Sequence, residues 1–138
     1  MLLAEVLIRR DYIKYKIAEL KNSLLSPNVT RDRNEIRDQL FTLMDEYQRY
    51  AILINKTNNS IKIEVADSEL TLANAVRIRE NLDNKMNVLS GLIEMNKADS
   101  SISYDVLELM KQRDKLMEEY IILSSSIFLQ DWRTEITQ

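Results

Sequence analysis

Gly91 is the only glycine and Pro27 the only proline among 138 residues. Sheet-rich domains need turn residues every few positions, whereas long helices need almost none. A chain this poor in both is expected to be built from a few long helices, with "SPN" at 26–28 as a loop between two of them.

The hydrophobic pattern says where those helices lie. In "LAEVLIRRDYIKYKIAEL", the residues Leu3, Val6, Ile13, Ile17, Leu20 and Leu24 recur at alternating steps of three and four. That is the period of a seam between packed helices. The spacing predicts a helix from Leu3 to Leu25, and a second from "TRDRNEI", capped by Thr30 or Asp32, to about Asn58. The second seam is Ile36, Leu40, Leu43, Tyr47, Tyr50 and Ile54. A third helix is expected from about Thr71 to Lys97 and a fourth from about Ser103 to Gln130. In "NSIKIEVADSELTL" the period drops to two, with Ile61, Ile63 and Val65 on one face, which predicts a short hairpin turning at "ADSE".

The two halves of the chain resemble each other. At an offset of 69, Leu3, Val6, Ile13, Ile17 and Leu20 meet Leu72, Ala75, Leu82, Met86 and Leu89, and Arg10 and Asp11 meet Arg79 and Glu80. At an offset of 73, Ile36, Leu43, Met44, Tyr47 and Ile54 meet Leu109, Leu116, Met117, Tyr120 and Ile127, and Ile63 meets Ile136. The growth in offset makes the second hairpin about one helical turn longer. The fold expected is therefore all-α: one domain spanning 1–138, a four-helix bundle of two pseudo-repeated helical hairpins at about 1–65 and 70–138. A small β element at one end would gather "SIKIEV", "ELTL" and "WRTEIT".

Arg10 and Arg79 occupy seam positions, where a charge is costly to bury. Such an arginine can run its methylenes through apolar surroundings and meet a carboxylate bidentately. Polar seam groups of this kind set register or assembly state. Arg10, Arg79, Asp11 and Glu80 are thus the expected seam and assembly residues, with carboxylates of neighbouring helices as partners.

Three stretches resemble the septicolysin-like family of small bacterial helical proteins. They are "LAEVLIRRD" at 3–11, "LINKTN" at 53–58 followed by "LTLANAVRIRE" at 70–80, and "QDWRTEI" at 130–136. The family pattern has a Leu-Ala-Glu-Ala-Leu opening, an Ile-Asn-x-Thr-Asn helix end, Leu-Thr-x-Ala-Leu before the third helix and a closing Asn-Trp-x-Thr-Glu-Leu. The resemblance covers nearly the whole chain and implies a helical fold that assembles into homo-oligomers. The family name suggests a haemolysin. One departure is the link "NKADSSIS" at 96–103, where the family carries a longer polar segment rich in Arg, Tyr and Ser. By motif, Asn55, Thr57 and Asn58 would close the second helix, since Asn tolerates left-handed backbone and caps loose backbone groups. Trp132 and Glu135 would sit at the matching junction of the second half, as packing or as an anchor in a subunit contact.

Composition narrows the chemistry. The chain has no histidine and no cysteine, which removes the commonest general base, the commonest metal ligand and all thiol chemistry. Inward glutamates lack the Glu-x-x-His pairs of a di-metal bundle, and no glycine-rich phosphate loop exists. Gly91, inside a helix, is expected to mark close helix packing. Neither an enzyme nor a cofactor is expected. A net charge of −3 and a pI near 5.1 give no electrostatic case for nucleic acid. "MLLAEVLIRRD" lacks a basic leader before its apolar run, and "YIILSSSIFL" is half the length of a membrane span. The expectation is a cytoplasmic protein whose partner is itself. A membrane-active helical protein and a small protein-binding or inhibitor module are the alternatives.

Overall fold

The computed structural model describes residues 1–99 and 105–137. Its elements run α1 (Leu3–Leu25), α2 (Arg33–Ser60), β1 (Lys62–Val65), β2 (Ser68–Thr71), α3 (Leu72–Ala98) and α4 (Val106–Asp131). The chain is mainly α-helical with one small antiparallel hairpin, as the scarcity of glycine and proline demands. Ser103, the expected start of the fourth helix, lies outside the described residues. The helix α3 is longer than α1 by one turn, 27 residues against 23.

Each helix start has a local cause. The Asp32 carboxylate accepts the Asn34 amide at 2.9 Å, so Asp32 rather than Thr30 opens α2. The Thr71 hydroxyl accepts the Asn74 amide at 3.1 Å, and the Asp105 carboxylate accepts that of Glu108 at 3.3 Å. At α1 no side chain of Leu2 can do this. Instead Glu5 reaches back to accept the Leu2 amide at 2.9 Å. The end of α1 has no glycine cap. Arg33 supplies the missing donors, with Nη1 bonding the Leu24 carbonyl at 2.6 Å and Nη2 that of Ser26 at 2.9 Å.

Two compact units make up the chain, Met1–Ser60 with the segment from Asp131 onward, and Ile61–Gln130. In the first, α1 lies along α2, and the seam residues Leu3, Val6, Ile13, Ile36, Leu40, Tyr50 and Ile54 are buried. In the second, Leu72, Ala75, Leu82 and Met86 of α3 and Leu109, Leu123 and Ile127 of α4 are buried. Arg113 of α4 donates to the Ser90 hydroxyl of α3 at 3.4 Å. Each fully buried leucine or isoleucine contributes about 1.5–3 kcal/mol, against which the entropy of ordering the chain is set.

The hairpin pairs Lys62 with Thr71, Ile63 with Leu70, Glu64 with Glu69 and Val65 with Ser68. Its turn is only Ala66–Asp67, so Ser68 and Glu69, expected within the turn, belong to β2. Both turn residues have positive φ, 50° and 65°, as a two-residue primed turn requires to match strand twist. Ile63 is buried while Lys62 and Glu64 are exposed, in keeping with the period of two.

Three expectations are corrected. The sheet holds β1 and β2 only, and "WRTEIT" does not join it; Glu135 forms an isolated antiparallel bridge with Leu2 instead. Asn55 and Asn58 do not end α2, which continues to Ser60, and neither has left-handed backbone. A methyl added at Gly91 would meet nothing within 4 Å, so this glycine marks no close helix approach.

Candidate functional site

Several of the residues singled out by sequence meet in the first unit, where the segment after α4 returns to the start of α1. The Leu3 amide, one of the four that a helix leaves without an internal acceptor, donates to the Thr134 carbonyl at 2.8 Å. The Ile136 amide donates to the Met1 carbonyl at 3.1 Å, and the Met1 ammonium meets Glu135 Oε2 at 3.1 Å. Thr134 is buried.

Thr57 holds the same segment from α2. Fully buried, its hydroxyl donates to the Leu53 carbonyl at 2.8 Å and accepts the Thr137 amide at 2.9 Å. The Ser60 hydroxyl donates to the Thr57 carbonyl at 2.9 Å and lies 3.3 Å from that of Thr137. Asn55, in contrast, is exposed, and its backbone carbonyl accepts the Asn59 side-chain amide at 2.8 Å. Met1, Val6, Arg49, Tyr50, Leu53 and Ile136 line a recess of about 330 Å³ beside this junction. The Arg49 guanidinium lies 5.5 Å from the Tyr50 ring centroid. Trp132 is 42% exposed at this junction.

The seam arginines behave differently from expectation. Arg10 is half-buried and meets a carboxylate through Nε at 3.1 Å and Nη2 at 2.9 Å. That carboxylate is Asp11, its own neighbour on α1, rather than one from another helix. Arg79 is also half-buried, and no ion pair joins it to Glu80 among the described residues. An arginine pointing along the helix surface reaches its flanking acid more cheaply than one crossing to a neighbour, because it leaves its charged head in water.

Sequence reasoning missed the groove of about 950 Å³ between the last turns of α1 and the first turns of α2, where Tyr12, Lys16, Glu19, Arg31, Glu35 and Asp38 contribute to the wall. Lys16 bonds Glu19 at 3.2 Å, and that hydrogen bond together with the charge of Glu19 raises the Lys16 pKa above the ordinary lysine value. Among the described residues no cluster of three or more acidic, histidine or cysteine side chains could hold a metal ion. No helix of the described chain is long and apolar enough to cross a membrane.

The surface carries the other unforeseen feature. Ile8, Tyr12 and Tyr15 on α1, Phe41, Met44 and Ile52 on α2, and a longer series on α4 are all exposed large apolar side chains. Their spacing was visible in the sequence, where Tyr12 and Tyr15 read as lying on or near the α1 seam and as core; in the structure they are exposed.

The chain is similar to a functionally unknown conserved protein from Corynebacterium diphtheriae known from its crystal structure, with 26% identity over 99% of both chains and a TM-score of 0.82. No family model matches the chain, and no curated protein does. The likeness runs through all four helices and the hairpin, and supports the all-α class.

Proposed function

We propose that this is a non-enzymatic helical protein that works by associating with further copies of itself. The observation that carries this reading is the series of large apolar side chains left in water at helical spacing, Ile8, Tyr12 and Tyr15 on α1 and a heptad-spaced row on α4. A monomer that keeps such rows exposed loses hydrophobic free energy at each residue, and recovers it by covering them with a complementary surface. Homo-oligomers do so with self-complementary patches. Size-exclusion chromatography with light scattering, across a range of concentrations, tests it. A mass that settles at a closed multiple of 16.2 kDa supports the reading, and a monomer throughout overturns it.

The same proposal treats the chain as two copies of one helix–helix–strand unit, within the septicolysin-like family it resembles. Support comes from two backbone pairings. The Leu3 amide bonds the Thr134 carbonyl, and the Leu72 amide bonds that of Ile61, both at 2.8 Å. Leu72 follows Leu3 by the offset of the odd helices, 69, and Thr134 follows Ile61 by that of the even helices, 73. The Leu2–Glu135 bridge corresponds to the Lys62–Thr71 pair in the same way. Each helix entry is thus tied to a strand that leaves a helix of the other copy. Hydrogen exchange reads this directly: matched protection of the Leu3 and Leu72 amides agrees with equivalent roles, and a large difference opposes it.

A further inference from the structure

We propose that the exposed row on α4 is the contact through which two copies of this chain pair antiparallel about a two-fold axis, an inference that rests on the self-association reading and specifies its surface. The buried seam of α4 includes Leu109, Leu123 and Ile127. One residue further along at each step, about 100° around the helix, run Met110, Asp114, Met117, Ile121 and Phe128, with Leu107 preceding them. This second row keeps the three-and-four spacing of a seam, yet Leu107, Met110, Met117, Ile121 and Phe128 are 71%, 40%, 44%, 55% and 62% exposed. Ile122 and Leu129 are exposed beside it, so the second half of α4 is apolar nearly all round, the pattern of a helix buried on every side.

The occupant follows from the row itself. When two such helices run antiparallel and cross between Met117 and Ile121, Met117 of each copy meets Ile121 of the other, and Met110 meets Phe128. Asp114, the charged member, then falls opposite Ser124, whose own hydroxyl is buried, and the exposed hydroxyl of the next residue, Ser125, is the one that can donate to it. Parallel pairing would instead bring Asp114 against Asp114 and leave like charges facing. This arrangement matches apolar to apolar from Met110 to Phe128 and sets Asp114 against serine, while Leu107 falls opposite Asp131 at the end of the row. At roughly 200 Å² for a fully exposed side chain of this size, the five apolar residues offer about 500 Å² per copy. Two rows give about 1,000 Å², the lower edge of specific interfaces, and the flanking Lys111, Glu118 and Ser125 extend it. One meeting is unfavourable: Glu118 would approach its own copy at the rim near the axis.

The test uses the whole chain and its lack of cysteine. Sedimentation equilibrium is measured for the wild type, Ile121→Lys, Phe41→Lys on α2 as a control surface, and Glu118→Gln, with circular dichroism to confirm each fold. The expected result is a wild-type dimer, weakened tenfold or more by Ile121→Lys, unchanged by Phe41→Lys and tightened by Glu118→Gln. Met110→Cys and Phe128→Cys proteins, mixed and oxidised, should cross-link to each other and neither to itself, because those positions lie about 27 Å apart along one helix. A folded Ile121→Lys that dimerises like the wild type overturns the α4 surface while self-association stands. Self-cross-linking of Met110→Cys overturns the antiparallel arrangement. A wild type that stays monomeric overturns both readings, and one that is monomeric yet floats with anionic phospholipid vesicles assigns the row to lipid instead.

Discussion

Thr57 joins two stretches of chain 80 residues apart: its buried hydroxyl donates to the Leu53 carbonyl and accepts the Thr137 amide at 2.9 Å. A serine or threonine inside a helix commonly returns its hydroxyl proton to the carbonyl four residues back, which leaves both lone pairs free for an outside donor. Here that donor is the last described stretch of backbone. Together with the Leu3–Thr134 bond it determines where the segment after α4 lies.

Thr57→Val keeps the shape and removes the acceptor, so the Thr137 amide is left without its partner in a half-buried site. The expected loss is about 1–3 kcal/mol, read as a lower urea midpoint. Thr57→Ser should recover most of it, because the hydroxyl returns. A loss in Thr57→Ser with none in Thr57→Val would show that the methyl group, rather than the bond, carries the stability.

Gly91 sits inside α3 with open space around it. Since it neither adopts positive φ nor permits a close approach, its conformational freedom is a pure entropic cost. Gly91→Ala is expected to stabilise the protein by about 0.5–1 kcal/mol, visible as a rise of a few degrees in Tm. A fall in Tm would mean that something covers this position in the assembled protein.

Ala66 and Asp67 hold φ of 50° and 65°, a conformation that costs most residues with a Cβ about 1–2 kcal/mol. The pair Ala66→Asn with Asp67→Gly supplies the residues that the primed turn favours. It should stabilise the hairpin by about 1 kcal/mol, seen as slower hydrogen exchange at Lys62–Val65. An unchanged exchange rate would show that strand opening is governed by α3 rather than by the turn.

Arg33 and Arg10 separate two kinds of arginine. Arg33 bonds two carbonyls at the end of α1, so Arg33→Met should cost about 1–2 kcal/mol and fray the last turn of that helix. Arg10 pairs with an exposed neighbour, and Arg10→Leu should change stability by less than about 1 kcal/mol. Helicity by circular dichroism and chemical denaturation measure both. A change of mass in the stable Arg10→Leu protein would place Arg10 at a contact between copies.

The four helices were legible because each is written in a local period that any stretch of chain carries by itself. The seams Leu3–Val6–Ile13 and Ile36–Leu40–Tyr50–Ile54 could be traced before any partner was known, and they are buried. Asp32 could be named beside Thr30 as a candidate cap for the same reason, as its partner is two residues away. Arg10 could be located but not paired, because several carboxylates lay within reach and only the side-chain path decides among them. The partner of "WRTEIT" was harder still. Strand pairing is made by backbone groups that every residue shares, so Leu2 and Lys62 were equally acceptable neighbours on sequence grounds. Helix lengths and the Thr57 hydroxyl brought that segment to Leu2, and only the tertiary structure could decide it. The sequence by itself determined what is periodic and local, namely the helices and the buried residues of their seams. The folded chain decided which distant backbone groups meet, because those bonds depend on where the helices deliver their ends.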